Sequence, residues 1–115
     1  MISVLEAKKF ILEKYGFKII EKSDLGEYEG QPIKGEAHLQ GEITIKNDLN
    51  DTMKLITIVH EAGHLIEYKR VGVAWLHGTA LRFETKAWLN GLPIAIEIGI
   101  LNEYINYWKV HLDKL

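Results

Sequence analysis

A chain of 115 residues and 13.2 kDa has room for one domain with one modest core, burying about two-thirds of its unfolded surface. Its 47% hydrophobic and 26% charged residues exclude a disordered chain, and 14 Lys plus Arg against 16 Asp plus Glu (net charge −2) exclude a basic nucleic-acid footprint. No run of 18 apolar residues offers a membrane span, and the absence of cysteine excludes disulfides, so a metal site has to use His and carboxylate.

Ser3 followed by Glu6 reads as a capping box opening a helix that reaches about Tyr15 and stops at Gly16. Val4, Ala7, Ile11 and Tyr15 form one stripe at helical spacing, expected to face the core. Glu6, Lys8, Lys9, Glu13 and Lys14 interrupt the start of the chain, which therefore lacks the apolar block of a signal peptide; a cytoplasmic address is expected. Residues 17–22 read as a short strand. Residues 25–34 hold Gly26, Gly30 and Pro32, the densest group of breakers, and read as a loop. Two extended pieces, 37–40 and 42–46, flank Gly41, and Ile43 and Ile45 share one face of the second.

A long helix is expected from Asp51, as N-cap, to about Val71, with Gly72 as its stop. A shorter helix over 79–90 is closed by Gly91, and Pro93 opens a final helix reaching about Asp113. The order of helix, strands and three helices predicts one α+β domain over residues 1–115, with a small, mostly antiparallel sheet of about three strands. In the last helix Ile94, Ile98, Leu101, Ile105, Trp108, Leu112 and Leu115 alternate spacings of four and three, while Ile96, Ile100, Tyr104 and Tyr107 add a second apolar face. Residues 93–115 are thus expected either to complete the core, to pair with a second copy as a homodimer, or to cross a functional cleft.

The sharpest signal is His60-Glu61-Ala62-Gly63-His64 within the long helix. Positions four apart share a helix face with Cβ atoms about 5–6 Å apart, so the two imidazoles can converge on one Zn²⁺. Glu61, about 100° around the helix, stays off the metal and is placed to take a proton from water as general base. A chance match somewhere in this composition has odds of about 2%, so the motif is read as chemistry. Ala62 and Gly63 are small, and a Gly in mid-helix costs about 1 kcal/mol relative to Ala, which a close helix contact at the metal would explain.

A catalytic zinc takes three protein ligands and keeps one open position. The candidates for the third are Glu84, His77, His111 and His38. Glu84 is favoured: it lies 20 residues after His64 on the next predicted helix, among Leu81, Phe83, Ala87 and Trp88. Tyr68, one turn beyond His64, is a candidate oxyanion donor. Glu67 is expected to be solvated on the helix surface, with holding a metal ligand in place as the alternative, Arg70 and Arg82 to form ion pairs, and Trp75 and Trp88 to anchor the core.

With His60, Glu61 and His64 followed by a helical Glu84, the chain resembles the gluzincin zinc metallopeptidases, and its length resembles the minimal soluble gluzincins (minigluzincins) or the small repressor-cleaving metallopeptidases of mobile elements. The resemblance covers roughly residues 41–88. It implies a zincin-like fold, Zn²⁺ held by His60, His64 and Glu84, and hydrolysis of an extended peptide added to the sheet's edge strand, within residues 37–46. It also implies that a C-terminal segment can hold such an enzyme as a latent zymogen. One departure is Trp88, which stands four residues after Glu84 where gluzincins often carry an acidic residue. The rival expectation is a metal-stabilised regulatory or interaction module that cleaves nothing and dimerises through its last helix. Retention of Glu61 counts against it, because a structural metal needs ligands and not a base.

Overall fold

The computed structural model describes residues 1–72 and 80–112, with backbone alone at 80, 81, 111 and 112. Helix α1 (Val4–Tyr15) opens on the capping box: the Ser3 hydroxyl accepts from Glu6 N–H at 3.1 Å, and the Glu6 carboxylate accepts from Ser3 N–H at 3.3 Å. Strands β1 (Lys18–Lys22), β2 (Glu27–Tyr28), β3 (Gln31–Pro32), β4 (Gly35–His38) and β5 (Glu42–Lys46) follow, then helices α2 (Asp51–Val71), α3 (Ala80–Glu97) and α4 (Leu101–Leu112). The segment read as a loop over 25–34 contains the β2–β3 hairpin, whose strands of two residues each are too short to leave an alternation signal. Asn50 rather than Asp51 caps α2, its side-chain oxygen accepting from Met53 N–H at 2.9 Å.

The architecture is α+β, and the three-stranded sheet has the order β1-β5-β4. It is mixed: β4 and β5 are antiparallel as expected, whereas β1 joins β5 in parallel, with Ile19 opposite Ile43 and Glu21 opposite Ile45. The chain between β1 and β5 carries the hairpin and β4, which is how a parallel neighbour is reached without a crossover helix. Ile19, Glu21, Ile43, Ile45, Gly35 and Ala37 share the face turned to the helices. On that face Glu21 accepts from Lys8 of α1 at 2.5 Å and from Lys54 of α2 at 2.7 Å, so one carboxylate ties both helices to the sheet. These two lysines hold the Glu21 carboxyl below its ordinary range. The core is built on Ile43, Ile45, Phe17, Ile11, Ile58, Trp88 and Tyr104, all buried. Val4 and Tyr15 pack against it beside Ala7 and Ile11, completing the stripe expected of α1.

The boundary between the last two helices differs from expectation. α3 runs through Gly91 and Pro93 and ends at Glu97. A Cβ on Gly91 would stand 2.2 Å from the Tyr104 hydroxyl and 2.8 Å from Val59 Cγ1, so this glycine is a packing requirement and not a stop. Pro93 is tolerated because the carbonyl it leaves without an N–H, at Leu89, lies on a face where both Leu89 and Pro93 are exposed to water. The true break is Gly99, at φ +77°, where Gly99 N–H donates to Ile96 and Ile100 N–H to Ala95, a Schellman closure. The expected seven-position seam is therefore interrupted. Ile94 on α3 and Ile98 just past its end are buried, as are Ile100 just before α4 and Tyr104 on it, while Leu101, Ile105 and Trp108 are only partly covered; the Leu112 side chain and Leu115 lie outside the described residues. The core reading of this segment holds for the four buried residues.

Among the described residues no helix is long and apolar enough to cross a membrane. The packing of Gly91 sets the sign of a test. If Gly91 were an uncrowded position inside α3, Gly91→Ala would stabilise the chain by about 1 kcal/mol through propensity. Because Tyr104 is buried and donates to the Trp88 carbonyl at 2.8 Å, it cannot swing away. Gly91→Ala is therefore expected to destabilise by about 1–3 kcal/mol in urea or thermal unfolding.

Candidate metal centre and cleft

Helices α2 and α3 meet at Gly63, where a Cβ would fall 2.0 Å from the Ala87 carbonyl oxygen. Only glycine allows this approach. The facing pairs Glu67–Lys86, Gly63–Ala87 and Val59–Gly91 run down one helix as they run up the other, so α3 returns antiparallel along α2. One turn from the contact, His60 and His64 on α2 face Glu84 on α3. Glu84 Oε2 lies 2.8 Å from His60 Nε2, and Glu84 Oε1 lies 3.1 Å from His64 Nε2. The three side chains each offer a donor atom, and those atoms lie within 4.8 Å of one another. Their exposures of 16%, 13% and 22% leave the group shielded yet reachable from solvent.

Two imidazoles and a carboxylate converging on one point form a group that can hold a metal ion. Burial opposes a charge on His64, but the hydrogen bond it donates to Glu84 and the fields of Glu61 and Glu84 outweigh it and raise its pKa. Glu61 stands apart from the donors. It is buried, its Oε1 is 4.0 Å from His60 Nδ1, and its Oε2 has no hydrogen-bond partner among the described residues. Against it lies the backbone of β4, with Gly35 packed on Thr57 and on the Glu61 side chain; a Cβ there would fall 2.4 Å from Thr57 Cγ2. A cleft of about 670 Å³ opens here, lined by His60, Glu61, Thr57 and Gly35, by Trp88 and Tyr107, and by Gln31 and Pro32 of the hairpin.

The other candidates go elsewhere. His38 pairs with Thr44 Oγ1 at 3.0 Å on β4 and is no part of the donor group. His77, Trp75 and the side chain of His111 lie outside the described residues. Tyr68 lines a separate small pocket with Phe17, Leu39 and Leu65, away from the Glu61 cleft. Arg70 pairs with Glu67 as expected, and Arg82 is exposed. Among the described residues β4 is the edge strand within 37–46, because β5 is central.

Two positioning residues were not legible. Trp88 is a core anchor as expected, but it also stacks on His60, with ring centroids 4.3 Å apart and planes 11° from parallel. An aromatic plane thus orients this imidazole at the position where the sequence departs from the gluzincin pattern. Glu67 is buried rather than solvated. Its Oε2 accepts from Asn90 Nδ2 at 3.0 Å and its Oε1 pairs with Arg70, which clamps α2 to α3 one turn past His64. Three polar residues on facing helices leave no contiguous motif, so no sequence signal marks the clamp. The chain matches no protein-family model, and no curated protein or solved structure is significantly similar to it.

Two outcomes follow from this geometry. Gly63→Ala must separate α2 from α3, so it is expected to lower stability by about 1–3 kcal/mol and to weaken metal uptake measured by titration with Zn²⁺. For Glu67, burial raises the carboxyl pKa, but Asn90, Arg70 and Lys86 together lower it further than burial raises it. A carboxylate depressed on folding contributes stability above its unfolded pKa, about 4.3, and loses it as pH falls through the lower folded value. The stability difference between wild type and Glu67→Gln is therefore expected to be full at pH 6 and to shrink below pH 4 in urea titrations.

Proposed function

We propose that this chain is a zinc-dependent endopeptidase of the gluzincin type, with His60, His64 and Glu84 as ligands and Glu61 as general base. The observation that carries this reading is the position of Glu61: a buried carboxylate oxygen without a partner, beside but outside the donor group, at the floor of a cleft bordered by an edge strand. A structural metal site has no use for such a group, and an uncompensated buried acceptor costs about 1–3 kcal/mol. When bound, zinc would supply Lewis acidity toward water and toward the scissile carbonyl.

The chain's own residues supply the rest. A substrate strand added to the free edge of β4 runs past Gly35, whose lack of a side chain keeps the β4 backbone close to Glu61. Glu61 takes a proton from the attacking water as the new C–O bond forms. It then delivers that proton to the leaving nitrogen as the C–N bond breaks, giving a free carboxylate and a free amine. Trp88 holds the His60 ring plane through stacking, and the Asn90–Glu67–Arg70 clamp holds the two helices in register. Buried Tyr104 bears on latency: freeing α4 from the domain would uncover a core residue, which favours α4 as part of the scaffold.

The test is a metal and activity pair. Full-length protein is expected to bind about one equivalent of Zn²⁺ and to cleave an unstructured protein such as casein. Glu61→Gln is expected to keep the zinc and lose about 10²–10⁴-fold in rate, whereas Glu84→Ala loses both. Zinc binding with no cleavage by any form would favour the non-catalytic module instead.

A further inference from the structure

The cleft walls mix apolar side chains, Pro32, Leu49, Ile56, Trp88 and Tyr107, with polar ones that include Glu61 and Asp48, and two lysines border it. Lys46 lies 3.3 Å from Asp48, so its charge is already met. Lys34 differs. Its Nζ donates to the neutral Tyr107 hydroxyl at 3.2 Å and stands 5.8 Å from the centroid of that ring, and among the described residues no carboxylate pairs with it. Lys34 is the residue before β4, so it sits at one end of the edge strand whose Gly35 touches Glu61. From Tyr107 the contacts lead inward: its ring lies 5.9 Å from Trp88, which stacks on His60. An exposed cation with no carboxylate partner among the described residues thus stands at the mouth of the cleft, within reach of anything lying along β4.

We propose that Lys34 sets the substrate class of this site, selecting peptides that carry a carboxylate beside the scissile bond; the proposal rests on the peptidase reading above. The carboxylate takes the Lys34 ammonium from Tyr107. Both bonds have an ionised donor, but a carboxylate adds the attraction of an opposite charge that the hydroxyl lacks, so the exchange runs in that direction. Lys34 is exposed, so the attraction is modest, and the complementary charge acts chiefly on which partner is chosen. Because Lys34 precedes β4, the preferred acidic residue lies on the side of the scissile bond nearest the start of that strand.

The test uses four matched fluorogenic peptides of Gly, Ala and Leu. Three have amidated ends and carry Glu, Gln or Lys beside the scissile bond; the fourth carries Gln and a free terminal carboxylate. Zinc-loaded wild type is expected to favour Glu over Gln by about fivefold in kcat/KM, the scale of one partly exposed ion pair. Added salt should erode that ratio. Lys34→Arg should keep it, Lys34→Gln should remove it, and Lys34→Glu should reverse it toward the Lys peptide. A preference confined to the fourth peptide would keep Lys34 as the carboxylate receiver and assign the group to the chain end. Equal rates on all four peptides, or an unchanged ranking in Lys34→Gln, would overturn the proposal. If wild type cleaves none of them, the peptidase reading fails separately, and fluorescence anisotropy of the same peptides on the zinc-loaded chain decides. Tighter binding of the Glu peptide, lost in Lys34→Gln, supports the role of Lys34, and equal affinities refute it.

Discussion

The contact between Gly63 and the Ala87 backbone is the constraint from which the rest of this molecule follows. Two helices approach closely enough that no side chain fits between them, and only then can one carboxylate on α3 reach two imidazoles on α2. The approach is held from both ends. On one side the Glu67 carboxylate, buried between helices, is met by Asn90 and Arg70. On the other, Gly91 leaves room for the Tyr104 hydroxyl, which in turn bonds the Trp88 carbonyl. Small residues that weaken α2 and α3 as isolated helices are what allow them to pack as a pair.

This arrangement separates the group that can hold a metal ion from the carboxylate beside it. His60, His64 and Glu84 point at one another, while Glu61 projects from the adjacent helix position toward β4 and the cleft. The sheet has one role in the site: it brings a free edge against the α2 face. The strand order matters here, because it puts β5 in the centre and leaves β4 at the edge, with Gly35 beside Glu61.

What could be read in the amino-acid sequence was local. The capping box at Ser3 and Glu6, the 42–46 strand and the spacing of His60, Glu61 and His64 each depend on neighbours within a few residues, and periodicity reports those well. Glu84 was legible because an antiparallel return over about 20 residues has a limited range of outcomes. Gly91 and Pro93 were misread because stop signals and close packing use the same residue, and only Tyr104 and Val59 across the contact reveal which applies. Trp88 against His60, Asn90 against Glu67 and Lys34 against Tyr107 join residues 23 to 73 positions apart. No spacing rule encodes such pairs; they follow from the tertiary arrangement.

The central claim is that His60, His64 and Glu84 hold one zinc with a position left open beside Glu61. Zinc K-edge X-ray absorption on the zinc-loaded full-length chain tests it directly. The account predicts two imidazoles and two oxygens at about 2.0–2.2 Å, with the carboxylate contribution lost in Glu84→Ala. A zinc closed by four protein donors, or a spectrum unchanged in Glu84→Ala, would contradict it.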